Sequence, residues 1–167
     1  MNTFFLDQFI KMLGNLDSLL LKAQSHADAK KFDANHFVGE KLAVDMLNFT
    51  KQIQIACDTA KFCVARLSHT EAPKFEDNEK TLADLRGRIH KTQNYLKTMS
   101  EADYSHYRSA KYAPHWMNGE WLDGEAYLYQ YAIPNFYFHV TTAYAILRKC
   151  GVEIGKGDFL GALPFKK

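Results

Sequence analysis

The chain has 167 residues, a formal net charge of +2, and 24% charged, 47% hydrophobic and 14% aromatic residues. That length suits a single domain spanning 1–167, with a core that needs no disulfide or metal staple. Its basic pairs, Lys30-Lys31 and Lys166-Lys167, form no clustered basic face, which argues against a dedicated nucleic-acid binder. Cys57, Cys63 and Cys150 make no CxxC motif and read as reduced thiols of a cytoplasmic protein. No signal peptide is predicted, and no apolar run approaches the length that spans a bilayer.

The first helix is predicted over residues 3–26, with Phe5, Phe9, Met12, Leu13, Leu16, Leu19, Leu20 and Ala23 on one wide face. Gly14 inside it lowers local helicity and would let a neighbouring helix approach closely. A polar connection follows, with Asp33 able to cap one short turn. The second helix is predicted over 40–67, its core face running Leu42, Met46, Phe49, Ile53, Ala56, Ala60, Val64, Leu67. Asp45 lies beside that face near the start, either as an exposed acid favoured by the helix dipole or as a carboxylate aimed inward. Gln52 is a weaker inward candidate. Asp58 and Lys61 stand at i, i+3, as a surface pair would, or as an anchor to another helix.

Pro73 and its polar neighbours make 68–78 a loop, and a third helix is expected over 79–99 with Asn78 as N-cap. Leu82, Leu85, Ile89, Thr92 and Leu96 form its narrow core stripe, and His90 is expected to be solvated. Residues 103–123 differ in kind. They carry both tryptophans and the pair Asn118-Gly119, which predicts a β-hairpin pairing 112–117 with 120–122. Trp116 or Trp121 should pack on the helices, because an isolated hairpin is marginal. Such a hairpin would also serve as a lid over a pocket, with His115 facing it.

The last helix is predicted over 124–150, on Phe136, Val140, Ala143 and Leu147, and Gly151 ends it. Pro134 lies inside and predicts a kink, or a new helix start. Asn135, His139, Thr142 and Ile146 form a second stripe. Asn135 and His139, one turn apart, have the geometry by which one helix grips a metal ion; equally, His139 is a core histidine bonded to a neighbouring carbonyl or tyrosine. Beyond Gly151 the glycine-rich tail carries Phe159, Leu160, Leu163 and Phe165, which must pack on the bundle or on a second subunit, so a homodimer is expected.

The sum is an all-α four-helix bundle with a long connection, bearing a small β-hairpin, before the last helix. The runs DMLNFTKQIQIACDTAK and NFYFHVTTAYAILRKCG resemble the DinB/YfiT-like superfamily of metalloenzyme-type bundles, and within it a bacterial branch that is a domain of unknown function. The resemblance covers most of the chain. It implies a divalent metal, zinc or nickel, held by one His of the second helix and a His-x-x-x-His pair of the last. Some members are thiol-dependent transferases or isomerases.

Carried over by position, the metal residues are His139, Asn135 and Asp45, and only His139 keeps the family's residue type. An Asp–Asn–His set would favour a harder metal, or would have lost metal altogether. Two functions are therefore open. One is a metal- or thiol-dependent transferase or hydrolase acting on a small-molecule or thiol substrate; without metal, Asp45 would orient His139 as a general base. The other is a non-catalytic small-molecule-binding or structural dimeric bundle.

Overall fold

The computed structural model describes residues 4–166, so the expected helix start at Thr3 and the terminal Lys167 lie outside the described residues. Helix α1 (Phe4–Lys30) buries Phe9, Leu13, Leu16, Leu20, Ala23 and Ala27, one apolar stripe at helical spacing. Gly14 faces Gln93 of α3 (Leu82–Leu96). A Cβ there would lie 3.2 Å from Gln93 Nε2, which instead reaches the Ile10 carbonyl at 2.9 Å. The glycine is indeed a place of close approach between helices.

Helix α2 (Phe49–Leu67) starts nine residues later than its periodicity predicts, which corrects the expected start at Glu40. Asn48 decides this: its side chain accepts from the Lys51 N–H at 3.0 Å. The Phe49 N–H bonds the Glu40 carbonyl at 2.7 Å, and Lys41 bridges Asn48, so 40–48 closes as a loop. Leu42 is consequently exposed rather than in the core. In α3 the N-cap is Thr81, not Asn78. Thr81 Oγ1 accepts from the Asp84 N–H and Asp84 Oδ2 from the Thr81 N–H, a reciprocal capping box.

A two-stranded antiparallel hairpin follows: β1 (Lys111–Tyr112) and β2 (Leu122–Asp123), with Tyr112 opposite Leu122. Asn118 and Gly119 turn the chain at φ 48° and 90°, as the Asn-Gly pair predicts. The strands are shorter than expected. Pro114 has no N–H to give a ladder, and 115–117 winds into a 3₁₀ turn.

The last helix is composite: α4 (Gly124–Ala126), a π-helical segment (Tyr127–Ala132) and α5 (Ile133–Lys149). The disturbance expected at Pro134 takes the form of this wide winding just upstream, where the Ile133 N–H bonds the Leu128 carbonyl five residues back. Pro134 then sits in the first turn of α5, directly after the π-helical winding and inside the continuous composite helix.

In the bundle α1 neighbours α3 and α5, α2 neighbours the same pair most extensively, and α1 and α2 lie across the diagonal. The tail forms a short helix, α6 (Lys156–Leu160), against α1. Phe159 meets Tyr144 edge-on at 5.7 Å, and its carbonyl accepts from Asn15 Nδ2 at 2.9 Å. This part of the tail packs within its own chain. No helix of the described residues is long and apolar enough to cross a membrane.

Candidate functional site

His139 lies on α5 with only 7% exposure. Its Nδ1 is 2.7 Å from Oε1 of Gln52 on α2. Gln52 Nε2 donates to the Leu47 carbonyl at 2.9 Å, which turns the amide oxygen toward the ring. That oxygen only accepts, so Nδ1 carries the proton and Nε2 keeps a lone pair. Burial lowers the imidazole pKa below its ordinary value, so the ring is neutral at pH 7.

Asn135, one turn earlier, donates from Nδ2 to Thr59 Oγ1 at 2.8 Å. Arg66 Nη1 donates to the Tyr127 hydroxyl at 2.8 Å. Gln52, Thr59 and Arg66 recur every seven residues, close to two helical turns, and so lie on one stripe of α2. They form a polar seam where α2 meets the composite last helix.

Asp45 is not part of that seam. It is exposed in the turn that precedes α2, and no hydrogen bond or ion pair joins it to His139 among the described residues. The residue that meets His139 is Gln52. The structure therefore pairs His139 with Gln52 and Asn135 with Thr59, and leaves Asp45 outside. A zinc or nickel site needs several imidazole, thiolate or carboxylate donors, and an amide is a weak substitute. Among the described residues no group of three or more His, Cys, Asp or Glu is placed to hold a metal ion. The residues present do not fit the three-imidazole site that the resemblance implied. The thiols are not activated either among the described residues: burial pushes all three up, Cys57 to about 12.

A second constellation lies where α2, the π-helical segment and the hairpin meet. On the π-helical segment Tyr127 and Tyr131, four residues apart, stack with ring centroids 5.9 Å apart at 20°. Tyr112 of β1 covers both, at 4.5 and 4.9 Å. Trp116 packs on Tyr131 at 6.4 Å, as a tryptophan anchoring the hairpin should. Beneath the rings the Arg66 guanidinium lies 4.7 Å from the Tyr112 centroid and 4.9 Å from that of Tyr127. Burial is the main cause that pushes the Tyr112 phenol up to about 12, so it is neutral at pH 7. Tyr112, Trp116, Trp121, Tyr131 and Glu120 then line a cleft of about 600 Å³. His115, expected to face such a pocket, is exposed and does not line it.

A third cluster is charged and buried. Arg88 of α3 has a side chain only 1% exposed and lies 2.9 Å from each of Asp58, Asp77 and Glu79. Lys61, 2% exposed, pairs with Asp58 at 2.9 Å and lies 4.4 Å from the centroids of Phe62 and Phe75. The Asp58–Lys61 pair thus anchors α2 to α3 and to the 68–81 connection. Sequence spacing alone does not reveal Arg88, Asp77 and Glu79 as its partners, because they lie in other elements. His90, expected to be solvated, is half-exposed yet pairs with Asp17 at 3.2 Å.

A family model described as a domain of unknown function, DUF1993, matches residues 1–160. A crystal structure described as a DinB family member from Shewanella denitrificans matches with a TM-score of 0.93 and 46% sequence identity, over 97% of this chain and 92% of that one. No curated protein matches the sequence. The bundle with its late hairpin, the near-complete superposition and the match over almost the whole chain agree: this protein belongs to the DUF1993 family and has a DinB-like fold.

Proposed function

We propose that this protein is a small-molecule-binding bundle whose ligand occupies the aromatic cleft between the hairpin and the π-helical segment. The observation that carries this reading is the cleft itself: about 600 Å³, with a mostly apolar lining of two Trp and two Tyr and a single carboxylate. That size and chemistry suit a ligand of drug-like dimensions. The π-helical segment supports the reading, since it carries Tyr131, which lines the cleft and stacks on the buried Tyr127 behind it. Ligand-observed NMR with indole, quinoline and phenyltrimethylammonium tests it. At least one should show saturable binding, weakened about tenfold by Tyr131→Ala through the lost ring contact. No binding by any of the three would sink the proposal.

A metal- or thiol-dependent activity has less support. His139 bonds the neutral Gln52 through Nδ1, and Asn135, one turn away, is neutral and already bonded to Thr59. Protein purified without chelator should carry well under one zinc or nickel per chain by elemental mass spectrometry, and His139→Ala should not change that value. Near-stoichiometric metal that vanishes in His139→Ala would restore the metal reading.

A further inference from the structure

We infer that the ligand of the aromatic cleft is an organic cation bearing a quaternary or alkylated ammonium group; this rests on the reading of the cleft as a binding site. All of its aromatic lining is Tyr and Trp, the side chains whose ring faces attract cations best, and no phenylalanine contributes. Glu120 is the one charged residue of the lining. An anionic ligand would be repelled by this carboxylate and a cation drawn to it, with the Lys111 ammonium at the Trp121 ring acting in the opposite sense. A soft cation gains from both the ring faces and the Glu120 charge.

The molecule already uses these rings in this way. The Lys111 ammonium lies 4.6 Å from the Trp121 centroid, and the Arg66 guanidinium lies over Tyr112 and Tyr127. Arg66 is held from behind, bonded to the Tyr127 hydroxyl, and does not line the cleft. Lys111 stands on an exposed strand, where its charge opposes an arriving cation. The two residues therefore predict opposite signs: Glu120 favours the ligand and Lys111 disfavours it.

The test compares phenyltrimethylammonium with its neutral isostere tert-butylbenzene, titrated into the full chain and followed by tryptophan fluorescence and ligand-observed NMR. The cation should bind at least tenfold more tightly. Glu120→Gln should weaken the cation several-fold, Lys111→Met should tighten it, and neither should move the isostere. Both side chains are exposed, so both variants should fold. Equal or tighter binding of the isostere would overturn the cation inference while leaving the cleft reading in place. Tighter binding of benzoate than of phenyltrimethylammonium would do the same. Failure of all these probes, and of indole and quinoline, would remove the cleft reading and the inference with it.

Discussion

Replacing Arg88 with alanine should destabilise the protein by about 1.5–3 kcal/mol, read from urea unfolding, because it leaves Glu79 and the partly exposed Asp58 and Asp77 without their main counter-charge. Glu79 is 8% exposed and Asp58 28%, and each lies 2.9 Å from the guanidinium. The guanidinium also donates to the Glu76 carbonyl at 3.2 Å, so it ties the 68–81 connection to α3. Its Nη2 approaches Asp58 Oδ1 closely but off the hydrogen-bonding direction, so that contact is coulombic rather than a directed bond. After truncation only Lys61 would remain paired with Asp58. Arg88→Lys should cost less, since it keeps the charge and loses the fork. A loss below about 1 kcal/mol for Arg88→Ala, the range of a surface pair, would show the cluster to be a bystander.

The same cluster contributes to the acid limb. Burial alone would raise the Glu79 carboxyl, but hydrogen bonds from Gln54 and Arg88 outweigh it and hold the pKa below the ordinary 4.5. Burial likewise raises and Lys51 and Arg88 more strongly lower Asp77, which ends below 3.8. A carboxylate with a depressed folded pKa contributes stability that is present above its unfolded pKa and is lost as pH falls through the folded one. Stability should therefore fall as pH drops below these ordinary values, and the fall should be shallower in Arg88→Ala. An unchanged acid limb in the variant would mean that other carboxylates govern it.

Gly124→Ala should cost about 1–3 kcal/mol or more and should also disorder the cleft, an overpacking effect. A Cβ at this position would lie 1.8 Å from the Tyr107 carbonyl oxygen and 2.8 Å from its carbon. The obstacle is backbone, which cannot swing aside as a flexible side chain does. Leu67 closes the other side, with its Cδ2 3.2 Å away. Either the start of α4 or the 107–110 segment must shift, and both adjoin the hairpin that carries Tyr112 and Trp116. Denaturant unfolding reads the stability, and near-UV circular dichroism reads the aromatic packing. Gly119→Ala at the hairpin tip is the comparison: it has φ +90° but open space around it, so it pays only backbone strain. If Gly124→Ala proved no worse than Gly119→Ala, with unchanged aromatic signals, the close approach at Tyr107 would not constrain the hairpin.

Several features were legible in the residues because they are local. The stripe from Phe9 through Leu20 is a property of α1 alone, and the Asn118-Gly119 turn follows from what those two residues tolerate at positive φ. The start of α2 was misread because Leu42 and Met46 continue the period of Phe49 and Ile53, while Asn48 cuts it with a side-chain cap. Periodicity does not distinguish a helix from a loop that happens to keep its spacing. Asp45 fell with that boundary. Gln52, weighed as the weaker residue, is the one that meets His139.

The sequence by itself determined the helical class, the late hairpin and the approximate place of the backbone disturbance before Pro134. Each rests on short-range geometry: the helical repeat, turn chemistry and a missing N–H. Only the tertiary structure decided which side chains meet. Gln52 and His139 are 87 residues apart, and Arg66 and Tyr127 are 61 apart. Arg88 reaches carboxylates of α2 and of the preceding connection, and Tyr112 closes over rings of the π-helical segment. Such pairings depend on helix order, on crossing geometry and on a one-residue choice of winding. None of these leaves a mark in the spacing along a single element, and together they decide what stands around His139 and what lines the cleft.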